Sequence, residues 1–269
     1  MVTIPYWHVD AFAARPFAGN QAAVMLLDSW PGDDVLAAIA AEHMFAATAF
    51  LVKDRSDASD YEIRWFTPSA EIRLCGHATL AAGHVLLDHL EKRSGRLEVA
   101  LGTRKAGTVI VRRDGPNYLI ELPKILTKRC EWAGAGILLG AAPLEVWRSD
   151  DRHCICLFSN ENQVRALRPD MAGLAAIGND QFICTSPGKI NDIVSRVFVP
   201  GGGVDEDSVT GSAHAALAPF WAQRIEKNRF SAHQASARGG DLTCTLDGDR
   251  VWLGGQCTTV VQGEFYLTG

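Results

Sequence analysis

At 269 residues the chain is long enough for one large domain or two ordinary ones. Hydrophobic residues make up 47% and charged residues 21%, a globular balance with enough apolar material for a core without disulfide staples. A net charge of −5, with basic residues scattered apart from a short TKRC cluster, excludes the electrostatic footprint of a nucleic-acid binder.

The opening stretch, MVTIPYWHVDAF, alternates like a strand and lacks the charged start, apolar run and small-residue cleavage site of a secretory signal. A cytoplasmic protein is expected. Strands are predicted at Thr3 to Phe12, Gln21 to Leu27, Thr48 to Lys53, Tyr61 to Thr67, Arg96 to Leu101, Gly107 to Arg113 and Asn117 to Leu122. Between the second and third, PGDDVLAAIAAEH carries Pro-Gly punctuation, two acids in a first turn and Val35, Leu36 and Ile39 on one helical face. A second helix is predicted from Gly76 to Leu90.

The longest weakly polar run, Ala133 to Leu144, is broken by Gly134, Gly136, Gly140 and Pro143. It is too short to cross a bilayer, which takes roughly 20 apolar residues, so no membrane partner is expected. Further strands are predicted at Glu145 to Trp147, His153 to Phe158, Gln181 to Thr185, Asp192 to Val199, Leu242 to Leu246 and Val260 to Leu267, with helices at Pro169 to Ile177 and Gly211 to Ile225. Many short, turn-bounded strands without regular strand-helix alternation indicate an α+β fold of barrel-like or strongly curved, mostly antiparallel sheets. The change of strand sets at LPKILTKRCEWAG places a domain boundary between residues 125 and 126, giving halves 1–125 and 126–269.

An internal repeat supports two similar halves. Arg64-Trp65-Phe66-Thr67-Pro68 matches Arg196-Val197-Phe198-Val199-Pro200 as R-x-F-x-P. Glu71 and Glu206 each stand five residues before a glycine, and Gly76 and Gly211 each open G-x-A-x-x-A. The second copy has three more residues, in GGGVDED, between strand and helix. The pattern describes a strand that stops at a proline, a turn, and a small-residue helix whose N-terminus suits a carboxylate. Halves related by a pseudo-twofold axis would turn both helix starts toward one cleft; a duplicated scaffold with no surviving site is the competing reading.

His77 follows Gly76 at a helix start, where the dipole favours a neutral imidazole able to give or take a proton. Asp207, four residues before Gly211, could be a base, an orienter of His77 or a solvated loop acid. Ser212 takes the place of His77 in the second copy and could bind a carboxylate or cap its helix. Cys75 could be a thiolate base at the helix end, but Thr210 stands at the matching place, which disfavours a two-thiol epimerase. His77 and His84 share a helical face without an acidic or cysteine partner at metal spacing, so no metal is expected. TSPGK lacks the glycine spacing of a phosphate loop. Seven cysteines without a C-x-x-C pair are expected to be free, with Cys154 and Cys156 on one strand face.

HVDAFAARPFAGNQAAV, RWFTPSAEIRLCGHATLAA and EDSVTGSAHAALAPFW, spread over residues 8 to 221, together resemble the PhzF-like phenazine-biosynthesis family, which has a diaminopimelate-epimerase-like fold. The resemblance implies two α+β domains, each a curved sheet around a central helix, an interdomain active site, no metal or organic cofactor, and a homodimer. It assigns His77 and Asp207 to catalysis and Gly76, Gly211 and Ser212 to substrate binding. The family reaction is isomerisation of trans-2,3-dihydro-3-hydroxyanthranilate, a small carboxylate, with a glutamate moving a proton between carbons. That glutamate belongs to a S-E-T-A-F-like motif. Here the motif reads Ala46-Ala47-Thr48-Ala49-Phe50, which puts Ala47 at the acid/base position. A methyl group transfers no proton, so either the reaction has changed or the protein binds a small carboxylate without turnover, unless the substitution was engineered. Glu42 lies more than a turn away on the preceding helix. Ser208, where the family usually has proline, is expected to loosen the loop carrying Asp207.

Overall fold

The computed structural model describes residues 2–91 and 95–267. The chain divides into two compact units, Met1–Glu121 with Gly254–Gly269, and Leu122–Leu253.

The first unit runs β1 (Val2–Ala11), β2 (Asn20–Leu27), α1 (Asp33–His43), β3 (Ala47–Lys53), β4 (Tyr61–Phe66), β5 (Glu71–Ile72), α2 (Gly76–His84), β6 (Glu98–Thr103), β7 (Thr108–Asp114) and β8 (Asn117–Pro123). β1 pairs antiparallel with β2, β2 parallel with β3, and β3 antiparallel with β4. β4 then takes β5 antiparallel and β6 parallel, and β6, β7 and β8 continue antiparallel. α1 begins with Asp33 and Asp34, which favour the positive end of the helix dipole, and stops where Met44 turns left-handed at φ 53°. Its Leu36, Ile39 and Ala40 pack on Phe50, Val52 and Phe66.

α2 is buried on nearly every side. Small residues permit this: a Cβ on Gly83 would sit 2.3 Å from Val111 Cγ1, so only glycine allows the helix that close to β7. The predicted helix to Leu90 is α-helical only to His84 and continues as a π-helical segment, Val85–Leu90.

The second unit runs β9 (Lys128–Cys130), α3 (Ala135–Leu139), β10 (Glu145–Arg148), β11 (His153–Leu157), α4 (Glu161–Ala166), α5 (Met171–Ile177), β12 (Gln181–Pro187), β13 (Ile193–Val199), β14 (Val204–Asp207), α6 (Gly211–Ile225), β15 (Arg229–Gln234), β16 (Gly240–Asp247) and β17 (Arg250–Gly255). The pairing follows the first unit strand for strand. β10 is antiparallel to β9 and β11, β11 is parallel to β12, and β12 is antiparallel to β13. β13 takes β14 antiparallel and β15 parallel, and β15 pairs antiparallel with β16.

α6 contains Pro219, which has no N–H for the carbonyl of Ala215. That carbonyl accepts instead from Ile125 N at 3.1 Å, so the proline leaves no orphaned acceptor there.

The expected boundary falls near Leu122, but the second half does not run to the C-terminus. The last strand, β18 (Cys257–Leu267), belongs to the first unit, where it pairs antiparallel along the whole of β1 from Val2↔Leu267 to Ala11↔Cys257. β1 has a second edge whose backbone groups need partners, and the pattern within β18 carries no mark of which half will supply them.

None of the seven cysteines is in a disulfide, and all but Cys130 and Cys257 are buried. Cys154 and Cys156 share a face as expected, 3.9 Å apart at sulfur. No described helix is long and apolar enough to cross a membrane.

Candidate active site

The repeat read from the sequence is a repeated piece of structure. Phe66 pairs with Glu71 across β4 and β5, and Phe198 pairs with Glu206 across β13 and β14. In each copy the arginine two residues before the phenylalanine grips the glutamate with two hydrogen bonds: Arg64 Nε and Nη2 at 2.7 and 2.8 Å, Arg196 Nε and Nη2 at 2.7 and 2.9 Å. Each guanidinium also lies over its phenylalanine ring, 5.0 Å away in the first copy and 4.8 Å in the second. The hydrogen bond from Arg64 holds the Glu71 carboxyl below its usual pKa. These forks fix the turn that delivers the chain to α2 and α6.

Both helix starts then use the same closure. Thr79 Oγ1 donates to Cys75 O at 2.6 Å, and His214 Nδ1 donates to Thr210 O at 2.8 Å. Burial pushes the His214 pKa down to about 4. Cys75 and Thr210 are the N-cap residues, so Gly76 and Gly211 are the first residues of their helices and His77 and Ser212 the second. The N–H groups for which a helix supplies no intrahelical partner stand at these positions.

In the second unit, Ser212 Oγ donates to Gln181 Oε1 at 3.0 Å. The hydroxyl is therefore engaged with β12. Asp207 ends β14, and its Oδ2 accepts from Thr210 Oγ1 at 2.6 Å. The fully buried Gln234 accepts from Thr210 N at 2.9 Å and donates to Asp207 O at 2.7 Å and Thr210 Oγ1 at 3.2 Å. Ser236 Oγ donates to Ser208 O at 2.8 Å. The loop expected to be loosened by Ser208 is thus tied at Asp207, Ser208 and Thr210.

In the first unit, His77 is buried, and Asn20 Nδ2 lies 3.3 Å from its Nδ1. The amide nitrogen is a donor, so a neutral His77 accepting it carries its own proton on Nε2. Cys75 Sγ is 3.5 Å from the same Nδ1. Asn20 follows a loop in which Phe12, Phe17 and Gly19 all have positive φ. Two phenylalanines in that region mark a strained turn, and Asp10 tethers it by accepting from Phe17 N at 2.8 Å.

Strand register places Ala47. Phe50 opposes Arg64, and Cys184 opposes Arg196, so Ala47 in β3 is the counterpart of Gln181 in β12. Thr48, Phe50 and Val52 lie on the α1 face, where Thr48 Oγ1 is 3.0 Å from His43 Nδ1. Alternation puts Ala47 on the opposite face, the one α2 packs against. Glu42 is exposed and lines a groove of about 310 Å³ with Val35, Ile39, Phe265 and Leu267, so it does not substitute at position 47. His84 is not paired with His77: it hydrogen-bonds Tyr118 Oη at 2.9 Å and Thr259 Oγ1 at 2.8 Å. Among the described residues no three His, Cys, Asp or Glu side chains are placed to hold a metal ion.

Sequence reasoning located both helix starts, Gly76 and Gly211. It missed Asn20, Gln181, Gln234 and the role of Thr210, of which the first three reach the helix starts from strands.

The folds that carry such paired strand-turn-helix units are epimerase-like. The structure matches a hydroxyproline epimerase from Agrobacterium vitis with a TM-score of 0.61 over 97% of this chain and 92% of that one, at 11% identity, a likeness of fold alone. A phenazine biosynthesis protein of the PhzF family from Enterococcus faecalis matches with a TM-score of 0.92 and 37% identity, covering 99% of this chain and 100% of that one. An uncharacterized isomerase of Pseudomonas aeruginosa is 42% identical over 98% of this chain and 99% of that protein. The family model for phenazine biosynthesis-like proteins covers residues 9–263, and the chain belongs to that family.

Proposed function

We propose that the protein is a cofactor-independent isomerase that moves a proton on a small cyclic hydroxy or amino carboxylic acid. In this reading Asp207 and His77 serve the proton transfer, and the backbone at Gly76 and Gly211, with Ser212, binds the substrate. The observation that carries it is the Asp207 carboxylate, hydrogen-bonded by Thr210 at the entry to α6 and following an Arg196-Glu206 fork equivalent to the Arg64-Glu71 fork that precedes His77 in the first unit. Relatives described as isomerases at 42% identity support the class of reaction. The reference substrate is trans-2,3-dihydro-3-hydroxyanthranilate. A cytoplasmic homodimer is the proposed working form.

Ala47 favours a second reading, a small-carboxylate-binding protein with weak or no turnover. Positioned acid-base catalysis is worth roughly 10² to 10⁴ in rate, and the residue at this place supplies none of it. Isotope exchange from deuterium oxide into the reference substrate and other cyclic hydroxy acids separates the two. Exchange lost in Asp207→Asn supports the isomerase. Saturable binding without exchange supports the second reading. Neither exchange nor binding, by the native chain or by Ala47→Glu, would sink both.

A further inference from the structure

We propose that His153 is a further substrate-binding residue, whose buried Nε2–H donates to a carboxylate oxygen of a small acid held at the start of α6. The proposal rests on the functional reading above for what occupies that place, and on donor-acceptor logic within the second unit for the rest.

The logic starts at Ser149, in the turn between β10 and β11. Its Oγ accepts from two backbone N–H groups, those of Asp151 and His153, each at 3.1 Å. Both lone pairs of the hydroxyl oxygen are then engaged, and its one proton is left to donate. His153 Nδ1 lies 3.2 Å from Ser149 Oγ and receives it. A neutral ring whose Nδ1 accepts carries its own proton on Nε2. Burial holds the His153 pKa below its ordinary value, which keeps the ring in that neutral form.

His153 is 8% exposed, and its Nε2 is buried with no hydrogen-bond partner among the described residues. A buried donor left unmet costs free energy, so the acceptor that meets it comes from outside the chain, a water or a ligand oxygen.

Strand register decides between the two. His153 pairs directly with Gln181 across the parallel β11 and β12, so both side chains stand on one face of the sheet. That face is the one α6 covers: α6 packs against β11, and Gln181 and Thr185 bond Ser212 and Trp221 of the helix. Gln181 reaches the second residue of α6, so His153 stands beside the side chain that touches the helix start. An imidazole N–H and the N–H groups of a first helical turn are all donors, a set that favours a carboxylate. The first unit has no counterpart. The register that equates Ala47 with Gln181 equates Ala22 with His153, so two methyl groups stand where the second unit has an amide and an imidazole. The imidazole is no part of the repeated scaffold.

The test follows the His153 ring by ¹⁵N NMR in the native chain while benzoate, and then the reference substrate, is added to saturation. The free protein is expected to show the neutral tautomer with its proton on Nε2, and bound acid to move that signal. His153→Phe is expected to bind either acid about tenfold to a hundredfold more weakly, and His153→Gln, which returns an N–H near the same place, to recover most of the loss. In deuterium exchange the loss appears in KM, with little change in kcat. A proton on Nδ1, an Nε2–H signal that stays put while an acid binds, or binding by neither acid would overturn the proposal. So would a water that remains on Nε2 in a crystal structure with the acid bound. Should His153→Phe not fold, the ring signals of the native chain decide alone. The functional reading fails separately. No exchange by the native chain, with Nε2–H still moved by benzoate, sinks the isomerase and leaves His153 as a carboxylate site. Exchange with native KM in a folded His153→Phe sinks the role of His153 and leaves the isomerase.

Discussion

Arg64 with Glu71 and Arg196 with Glu206 hold two equivalent turns by equivalent forks, yet the residues around the helix starts they serve share almost no chemistry. The first unit gathers a thiol, an imidazole and the Asn20 amide. The second gathers a carboxylate, two hydroxyls and two amides. The scaffold repeats because its job, stopping a strand and aiming a helix, is the same in each half. On the proposed isomerase reading, the side chains diverge because a reaction on an asymmetric substrate needs different groups on different atoms.

The sharpest test of that division lies at Ala47 and Gln181, one position in two copies. If the first unit is the one built for a mobile carboxylate, Ala47→Glu should raise isotope exchange by about 10² to 10⁴. Gln181→Glu, which puts the same group at the matching place beside Ser212, should not. Exchange rates of the two variants on one substrate decide it, and equal gains would show that the halves are interchangeable.

The forks themselves differ in depth. The Arg64 side chain is almost wholly buried and reaches Asp33 as well as Glu71, whereas Arg196 is a little more exposed and also donates to the Leu167 carbonyl at 2.9 Å. Arg64→Met loses hydrogen bonds to both Glu71 and Asp33, but the carboxylates it leaves are partly solvated, at 25% and 65% exposure, so it should lose about 2–4 kcal/mol in urea unfolding. Arg196→Met should lose about 1–3 kcal/mol, the scale of a charge-assisted hydrogen bond. A reversed order would mean that burial is not what separates the two copies.

How much of this was legible in the chain depended on distance along it. R-x-F-x-P, the following glutamate and the glycine lie within about one strand-turn-helix unit, and local spacing exposed them. Asn20 and His77 are 57 residues apart, Gln181 and Ser212 are 31 apart, and Gln234 follows Thr210 by 24. Such partners meet through sheet pairing, which no local period encodes. β5 and β14 were missed because two to four residues carry no alternation, and β18 was placed in the wrong half for want of any signal about its partner. The π-helical continuation of α2 escaped because its residues read as an ordinary helix.

Acid should strain both units through histidines that burial keeps neutral. Desolvation, the largest cause in each case, pushes His84 in the first unit and His214 in the second down to about 4, from an ordinary 6.5. The unfolded chain therefore binds more protons between those values, so the stabilisation is complete above pH 6.5 and is lost as pH falls toward 4. Each histidine contributes up to about 3 kcal/mol to that slope. Urea midpoints measured from pH 7.5 to 4.5 should fall steadily, and either His84→Gln or His214→Gln should flatten the curve. A native curve already flat across that window would remove the argument for both.

The smallest effect concerns the tether beside Asp207. Ser236 donates to the carbonyl of Ser208 at 2.8 Å, in a loop that Gln234 and Thr210 already hold on either side. The same hydroxyl accepts from Gly239 N at 3.1 Å, and a neutral hydrogen bond is worth about 1 kcal/mol, so Ser236→Ala should lower stability by about 1–2 kcal/mol. If Gln234 and Thr210 fix the acid, exchange in Ser236→Ala should stay close to native while stability drops. A large loss of exchange with little loss of stability would tie the position of Asp207 to the loop as a whole, and would mean that the two halves differ in how tightly the turn is held as well as in what stands beside it.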